Sequence, residues 1–278
     1  VSTLVLKADG TTEYFKIEKL RRSLRRAGAS NTEIQNIIAN VYERLYDGIR
    51  TQEIYRYAFE QLRQTEVGAA TRYSLRRALF GLGPTGFPFE RFLAKLFTVE
   101  GYTAVTGITL PGRCVEHEID VACYNETHSF VAEAKFHSRP GVKTDLQVAM
   151  YSYARLNDLR EVKICSADFC GIKDFWLITN TKFTTTAQKY ATCMGINLLS
   201  WDYPKRNNLH DRIQRAGIYP ITTMSTLTHS QLLSLISRDI ILCRDLLANQ
   251  HVLLNLHLSQ EKKTQILNEA RMITSPRK

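Results

Sequence analysis

The segment Gly81-Leu-Gly-Pro-Thr-Gly-Phe-Pro88 places three glycines and two prolines in eight residues. No helix interior accommodates that density, because proline removes a backbone donor and glycine gives up conformational order. The break therefore divides the 278-residue chain. Before it the apolar spacing is mostly helical, and after it strands and helices alternate. A domain edge is expected near Gly83, and the length agrees with more than one domain.

The chain opens as a β-hairpin, with "STLVLK" and "TTEYF" flanking the Ala8-Asp9-Gly10 turn. Ile17, Leu20, Leu24 and Ala27 then share one helical face that stops at Gly28. A second helix is expected from a Ser30-x-x-Glu33 capping box through Leu45, and a third capped by Thr51. A fourth, "AATRYSLRRALF", leads into the break.

Beyond it, Phe89, Phe92, Leu93, Leu96 and Phe97 mark the buried side of a helix. Two strands follow over 115–123 and 129–136, joined by a polar turn at Asn125 to Thr127. A helix ("TDLQVAMYSYARLND"), a strand ("DFWLITNT"), a helix ("TTTAQKYATCMG") and a strand ("INLLSW") complete an α/β layer with a central mixed sheet. Residues 225–273 read as helical, with breaks near Asn249 and "LHLSQ". The expected division is 1–82, 83–205 and a linker with a helical segment over 206–278.

Composition narrows the partners. The net charge of +10 favours an anionic one, with nucleic acid the commonest. No run approaches the roughly 18 apolar residues of a membrane span. No basic segment followed by an apolar one opens the sequence, so a cytoplasmic location is expected. The six cysteines, Cys114, Cys123, Cys165, Cys170, Cys193 and Cys243, form no Cys-x-x-Cys pair. They read as free core thiols.

The stretch "VEHEIDVACYNETHSFVAEAKFH" carries the chemistry. Glu133 and Lys135, two apart on a strand, point to the same face, and Asp120 on the preceding strand pairs alongside. Two carboxylates and an amine then converge amid apolar neighbours. Hard oxygen ligands of this kind suit Mg²⁺ or Mn²⁺, and the lysine suits an attacking water or the charge developing on a phosphate. Two further acid-x-Lys triplets, Glu161-Val162-Lys163 and Glu261-Lys262-Lys263, lack a strand carboxylate at hairpin distance and read as surface charges.

The order of Glu90 on a helix, Asp120 and Glu133-x-Lys135 on strands, then Gln147 on a helix, resembles the PD-(D/E)XK nuclease core, in particular Mrr-type restriction endonucleases. The supporting phrases are "EHEIDV", "VAEAKF", Gln147-x-x-x-Tyr151 and "LITNTKFTTTAQKYA". The resemblance covers residues 86–205. It implies that Asp120 and Glu133 hold the metal, that Lys135 serves the water, and that Glu90 and Gln147 assist in positioning metal or phosphate. Ile119 stands where the family has proline before the aspartate. By position alone, Glu90 reads equally as a solvated helix acid and Gln147 as a helix-surface residue.

The first 82 residues resemble an ATP-cone, the nucleotide-sensing module of ribonucleotide reductases and their transcriptional regulator. The phrases are "LVLKADGTTEYFKIEKL", "YDGIRTQEIYRYAF" and "TRYSLRRAL". The resemblance implies a pocket for ATP or dATP lined by Lys7, Glu13, Lys16, Lys19, Leu20, Thr51 and Tyr55. Ala8 stands where arginine is usual, and Lys16 where Asn or Asp is. Taken singly, Leu20 and Tyr55 also fit a core. No Walker A pattern occurs, so the nucleotide is expected to act as an effector.

The tail "LLLNLHLSQEKKTQILNEA" loosely resembles a helix-hairpin-helix, with Lys262 and Lys263 as DNA contacts, and fits an antiparallel helix pair equally. The expected whole is an α/β protein: an N-terminal α+β ATP-cone, a restriction-endonuclease-like core and a helical C-terminal segment. Its expected function is Mg²⁺-dependent cleavage of double-stranded DNA under control of an adenine nucleotide, in a homo-oligomer serving restriction or defence. Two alternatives stay open, a nucleotide-responsive DNA-binding regulator and a structure-specific resolvase or repair nuclease.

Overall fold

A computed structural model describes residues 3–8, 10–165 and 171–275. The expected hairpin forms from β1 (Leu4–Leu6) and β2 (Thr12–Tyr14), although Asp9 of its turn lies outside the described residues. A short strand absent from the sequence reading, β3 (Ile49–Arg50), adds to β1 in parallel, with Val5 opposite Ile49 and Leu6 opposite Arg50. Two residues carry too little periodicity to reveal a strand.

Four helices complete the first unit: α1 (Ile17–Ala27), α2 (Asn31–Tyr42), α3 (Thr51–Thr65) and α4 (Val67–Phe80). Gly28 ends α1 at φ 82°, a left-handed conformation in which a side chain is strained. Ser30 caps α2 through Oγ, but the other half of the expected capping box is rewired. The Ser30 N–H donates to Glu66 rather than to Glu33, which ties α2 to the start of α4. Thr51 is the first residue of α3 and caps nothing; Arg50 precedes it without a side-chain acceptor.

The second unit is built on a five-stranded mixed sheet in the order β10-β8-β6-β5-β4. Its strands are β4 (Thr103–Pro111), β5 (Glu116–Tyr124), β6 (Ser129–Lys135), β8 (Asp174–Thr179) and β10 (Asn197–Leu199). Strand β4 was not expected from the sequence, since its face is only partly buried and its alternation correspondingly weak. Strands β6, β8 and β10 run parallel, whereas β5 is antiparallel to both its neighbours. A small ladder of β7 (Lys143–Thr144) and β9 (Lys182–Phe183) stands apart from this sheet.

One sheet face packs on α5 (Phe87–Val99), whose Phe89, Phe92, Leu93, Leu96 and Phe97 are fully buried as the periodicity predicts. Pro88 sits in the first turn of α5, where its missing N–H has no helical partner to lose. The other face packs on α6 (Leu146–Leu159) and α7 (Thr185–Met194) through Val131, Ala149, Leu177 and Ala187.

The linker and helical segment expected over 206–278 pack into the core of the second unit. Helices α8 (Leu209–Ala216), α9 (His229–Ile236), α10 (Cys243–Ala248) and α11 (Gln260–Thr274) contribute Leu209, Ile213, Leu235, Leu246 and Ile266 to the same core as α5. The boundary near Gly83 is also less sharp than the Gly/Pro break implies. Helix α4 gives Ala69, Ala70 and Tyr73 to the first core, and Leu75 and Leu79 to the second. Thr222 Oγ1 donates to the Ala78 carbonyl at 2.6 Å, pinning the C-terminal helices to that shared helix.

Cys123 and Cys243 are free and buried, but Cys114 and Cys193 are exposed and Cys165 is disulfide-bonded, so of the five described cysteines two fit the expected core thiols. Cys170 lies outside the described residues. No helix among the described residues is long and apolar enough to cross a membrane.

Candidate functional site

The ladder between β5 and β6 runs from Tyr124–Ser129 to Val121–Ala132 and stops there. At the next open position the Ala134 N–H donates not to a backbone carbonyl but to Asp120 Oδ2, at 2.7 Å. The strands part, and the Asp120 carboxylate fills the opening beside Glu133. Glu133 is 7% exposed. Its Oε1 faces Lys135 Nζ at 3.5 Å, and its Oε2 accepts from Arg155 Nη1 of α6.

Glu90, in the first turn of α5, completes the group. Burial, followed by the charges of Asp120, Glu118 and Glu133, pushes its carboxyl up to about 7. Asp120 is raised to about 6, by burial and then by Glu133, against the opposing pull of the Ala134 N–H, Arg155 and Lys135. Asp120 and Glu133 thus share one half-buried place with Lys135 and Arg155, within electrostatic reach of Glu90. Like charges held together in this way are costly unless compensated.

Asp120, Glu133, Lys135 and Glu90 are therefore brought together. Gln147 is exposed on α6, two turns before Arg155, and no hydrogen bond among the described residues joins it to the carboxylates. Sequence reading missed Arg155. An arginine inside an otherwise amphipathic helix gives no local sign that its partner lies 22 residues earlier on a strand.

The donor set fits a hard divalent cation. Asp120 and Glu133 supply carboxylate oxygens, and Mg²⁺ is commonly held by one or two carboxylates completed by water and substrate phosphate. Among the described residues, no group of three or more His, Cys, Asp or Glu is arranged to hold a metal by itself.

In the first unit Glu13 joins two other expected pocket residues, meeting Lys7 Nζ at 3.0 Å and Lys19 Nζ at 2.7 Å. Lys19 and then Lys7 hold its carboxyl below the usual range. The β1–β3 register sets Lys7 beside the start of α3, where Thr51 and uncapped N–H groups lie. Such a helix start favours anions. Lys16 precedes α1 and is exposed, while Leu20 is buried in the core.

Tyr55 makes its contacts elsewhere. Its ring stacks on Tyr73 at 4.8 Å between centroids, and its hydroxyl donates to the Tyr73 carbonyl. It lines a cleft of about 420 Å³ between α3, α4 and Thr222–Ser225, with Arg77 at the same opening. Burial holds its phenol above the ordinary value, partly offset by Arg77. Lys262 and Lys263 open α11 half-exposed, after the Ser259 cap.

Similarity to known proteins follows the same division. The ATP-cone domain model matches residues 3–79, and the model described as AF1548-like, C-terminal, matches residues 219–274. A protein of Archaeoglobus fulgidus described as uncharacterized is 34% identical over 182 residues, 65% of this chain and 99% of that protein. The crystal structure of a protein of unknown function, AF1548, superposes with a TM-score of 0.57 at 32% identity, over 68% of this chain and 98% of that one. The match is to this family, whose model takes in the tail that loosely resembles a helix-hairpin-helix. With nearly the whole of that relative contained in it, the chain belongs to the AF1548-like family and carries an ATP-cone domain at its N-terminal end.

Proposed function

We propose that the chain is a divalent-metal-dependent endodeoxyribonuclease of the PD-(D/E)XK kind, regulated by ATP or dATP bound to its ATP-cone. The observation that supports this most is the opening between β5 and β6, where Asp120, Glu133 and Glu90 converge with Lys135. A site that only gripped DNA would have no use for carboxylates beside phosphate, because they repel it. Asp120 and Glu133 would hold the metal, which supplies charge neutralisation at the scissile phosphate and an activated water. Lys135, within reach of Glu133 and partly exposed, would orient that water or neutralise the developing charge.

In the ATP-cone, the triphosphate would exchange with Glu13 for Lys7 and Lys19 near the start of α3. No Walker A pattern accompanies them, so the nucleotide acts through its different affinity for two states of the protein. Helix α4, shared by both cores, gives it a physical route to the second unit.

A second reading is a nucleotide-responsive DNA-binding protein that does not cleave. The bond from Arg155 to Glu133 favours it, since an internal cation already neutralises the central carboxylate. Plasmid DNA incubated with the protein and Mg²⁺, with and without ATP or dATP and beside Glu133→Ala, separates the two. Metal-dependent cleavage lost in the variant supports the nuclease. DNA binding without cleavage under every condition supports the regulator.

A further inference from the structure

The rim of the carboxylate site is unusual for its rings. Among the described residues after the ATP-cone, Phe87 and Tyr151 are the two aromatic side chains left strongly exposed, at 58% and 60%. Both stand one helical turn from the site. Phe87 lies three residues before Glu90, so the two share a face of α5. Tyr151 lies four residues before Arg155 on α6, and its ring centroid is 5.6 Å from the guanidinium that holds Glu133.

Elsewhere in this unit the large rings are packed away. Phe89 meets Phe136, and Phe97, Tyr102, Phe130 and Trp176 form a contiguous cluster. The two exposed rings both stand beside the carboxylates, Tyr151 over the Arg155 guanidinium and Phe87 on the helix of Glu90. Between them, β6 runs on into the segment Lys135-Phe-His-Ser-Arg-Pro-Gly-Val-Lys143, whose Arg139 and Lys143 are exposed and make no ion pair among the described residues. Lys143 lies opposite Lys182 in the small parallel ladder, and Lys182 is paired with Asp202 at 2.9 Å, which leaves Lys143 as the cation of that pair available to a backbone phosphate.

We propose that this rim binds DNA through unstacked bases, with Phe87 and Tyr151 as stacking platforms and Arg139 and Lys143 on the backbone. The preferred substrate is then single-stranded or locally opened DNA, such as a fork or flap, a preference that rests on the nuclease reading of Asp120 and Glu133 only for the cutting that follows. Aromatic rings flanked by basic side chains serve single strands because every base offers a face to stack, while a closed duplex offers none.

Fluorescence anisotropy with a labelled thymidine 20-mer, a forked duplex and a blunt duplex, in EDTA to prevent cleavage, tests this. The 20-mer and the fork should bind about tenfold or more tightly than the blunt duplex. Phe87→Ala and Tyr151→Ala should each weaken single-strand binding about fivefold or more while leaving duplex binding within about twofold. Tyr151→Phe and Phe87→Tyr, which keep the rings, should retain wild-type affinity and guard against misfolding as the cause. Equal or tighter binding of the blunt duplex would overturn the proposal, as would unchanged single-strand affinity in both alanine variants. It would equally fall if sedimentation showed that these substitutions only break a dimer. Failure to cleave any DNA, with the binding pattern intact, would sink the nuclease reading and leave the stacking rim standing.

Discussion

Arg155 of α6 donates to Glu133 of β6, and both residues are buried. This pair ties the helix bearing Gln147 and Tyr151 to the strand bearing the central carboxylate. It also fixes which oxygen of Glu133 faces the opening, since Oε2 is occupied by Arg155 and Oε1 lies toward Lys135.

Removing one partner of such a pair leaves the other buried and uncompensated. Arg155→Ala should therefore cost about 3–5 kcal/mol of stability. The double variant Arg155→Met with Glu133→Gln should recover most of that loss, because no isolated charge remains. Urea unfolding of the three proteins measures it, and a loss as large in the double variant would show that packing, not charge, holds the helix.

For the nuclease reading, Asp120→Ala and Glu133→Ala should each lower plasmid cleavage about a hundredfold or more. DNA binding should stay level or improve, since less negative charge then faces phosphate. Lys135→Ala should lose most of the activity while metal binding by calorimetry persists. Loss of metal binding in that variant would mean that the lysine's role is wrongly assigned.

In the ATP-cone, Lys7→Ala with Lys19→Ala should abolish the response to ATP or dATP without lowering basal cleavage. A non-hydrolysable analogue should act on the wild type as ATP does. Cleavage that requires turnover of ATP, with the analogue inert, would exclude the effector role.

Gly112 faces a crowded turn. A Cβ built there would lie 2.2 Å from Asp158 Oδ2 and 2.6 Å from the Val115 carbonyl oxygen. Gly112→Ala should destabilise the protein by about 1–3 kcal/mol, the usual cost of forced overpacking. A melting temperature unchanged from wild type would show that the turn yields freely.

Asp158 itself gives an acid dependence. Its carboxylate accepts from His117 Nε2 at 2.8 Å and from the N–H groups of Cys114 and Val115. The His117 contact first, and these N–H donors with it, hold its pKa below the ordinary value. A depressed folded-state pKa stabilises above the unfolded value of about 4, and that contribution is lost as pH falls through it. Stability followed from pH 6 down to pH 2 should therefore decline less steeply in Asp158→Asn than in wild type. Parallel curves would remove Asp158 from the acid response.

Much of this was legible because it is local. The apolar period of α5, the polar turn at Asn125 to Thr127, the β5–β6 hairpin and the Gly28 stop depend on residues within a few positions of one another, and each stands where the sequence predicts it. The sequence also marked Asp120, Glu133 and Lys135, because hairpin pairing with a short turn leaves little freedom in which strand residues meet. What it could not supply were partners chosen by docking. That Arg155 neutralises Glu133, that Asp158 grips a turn 43 residues earlier, that Tyr55 stacks on Tyr73 and that α4 serves two cores follow from how helices settle on a finished sheet and on each other. Contacts of that range carry no periodic signal, since helix packing fixes them only after the elements exist. The sequence by itself determined the elements and the cluster of charges, and only the tertiary structure decided which cation each carboxylate faces and which rings remain in water.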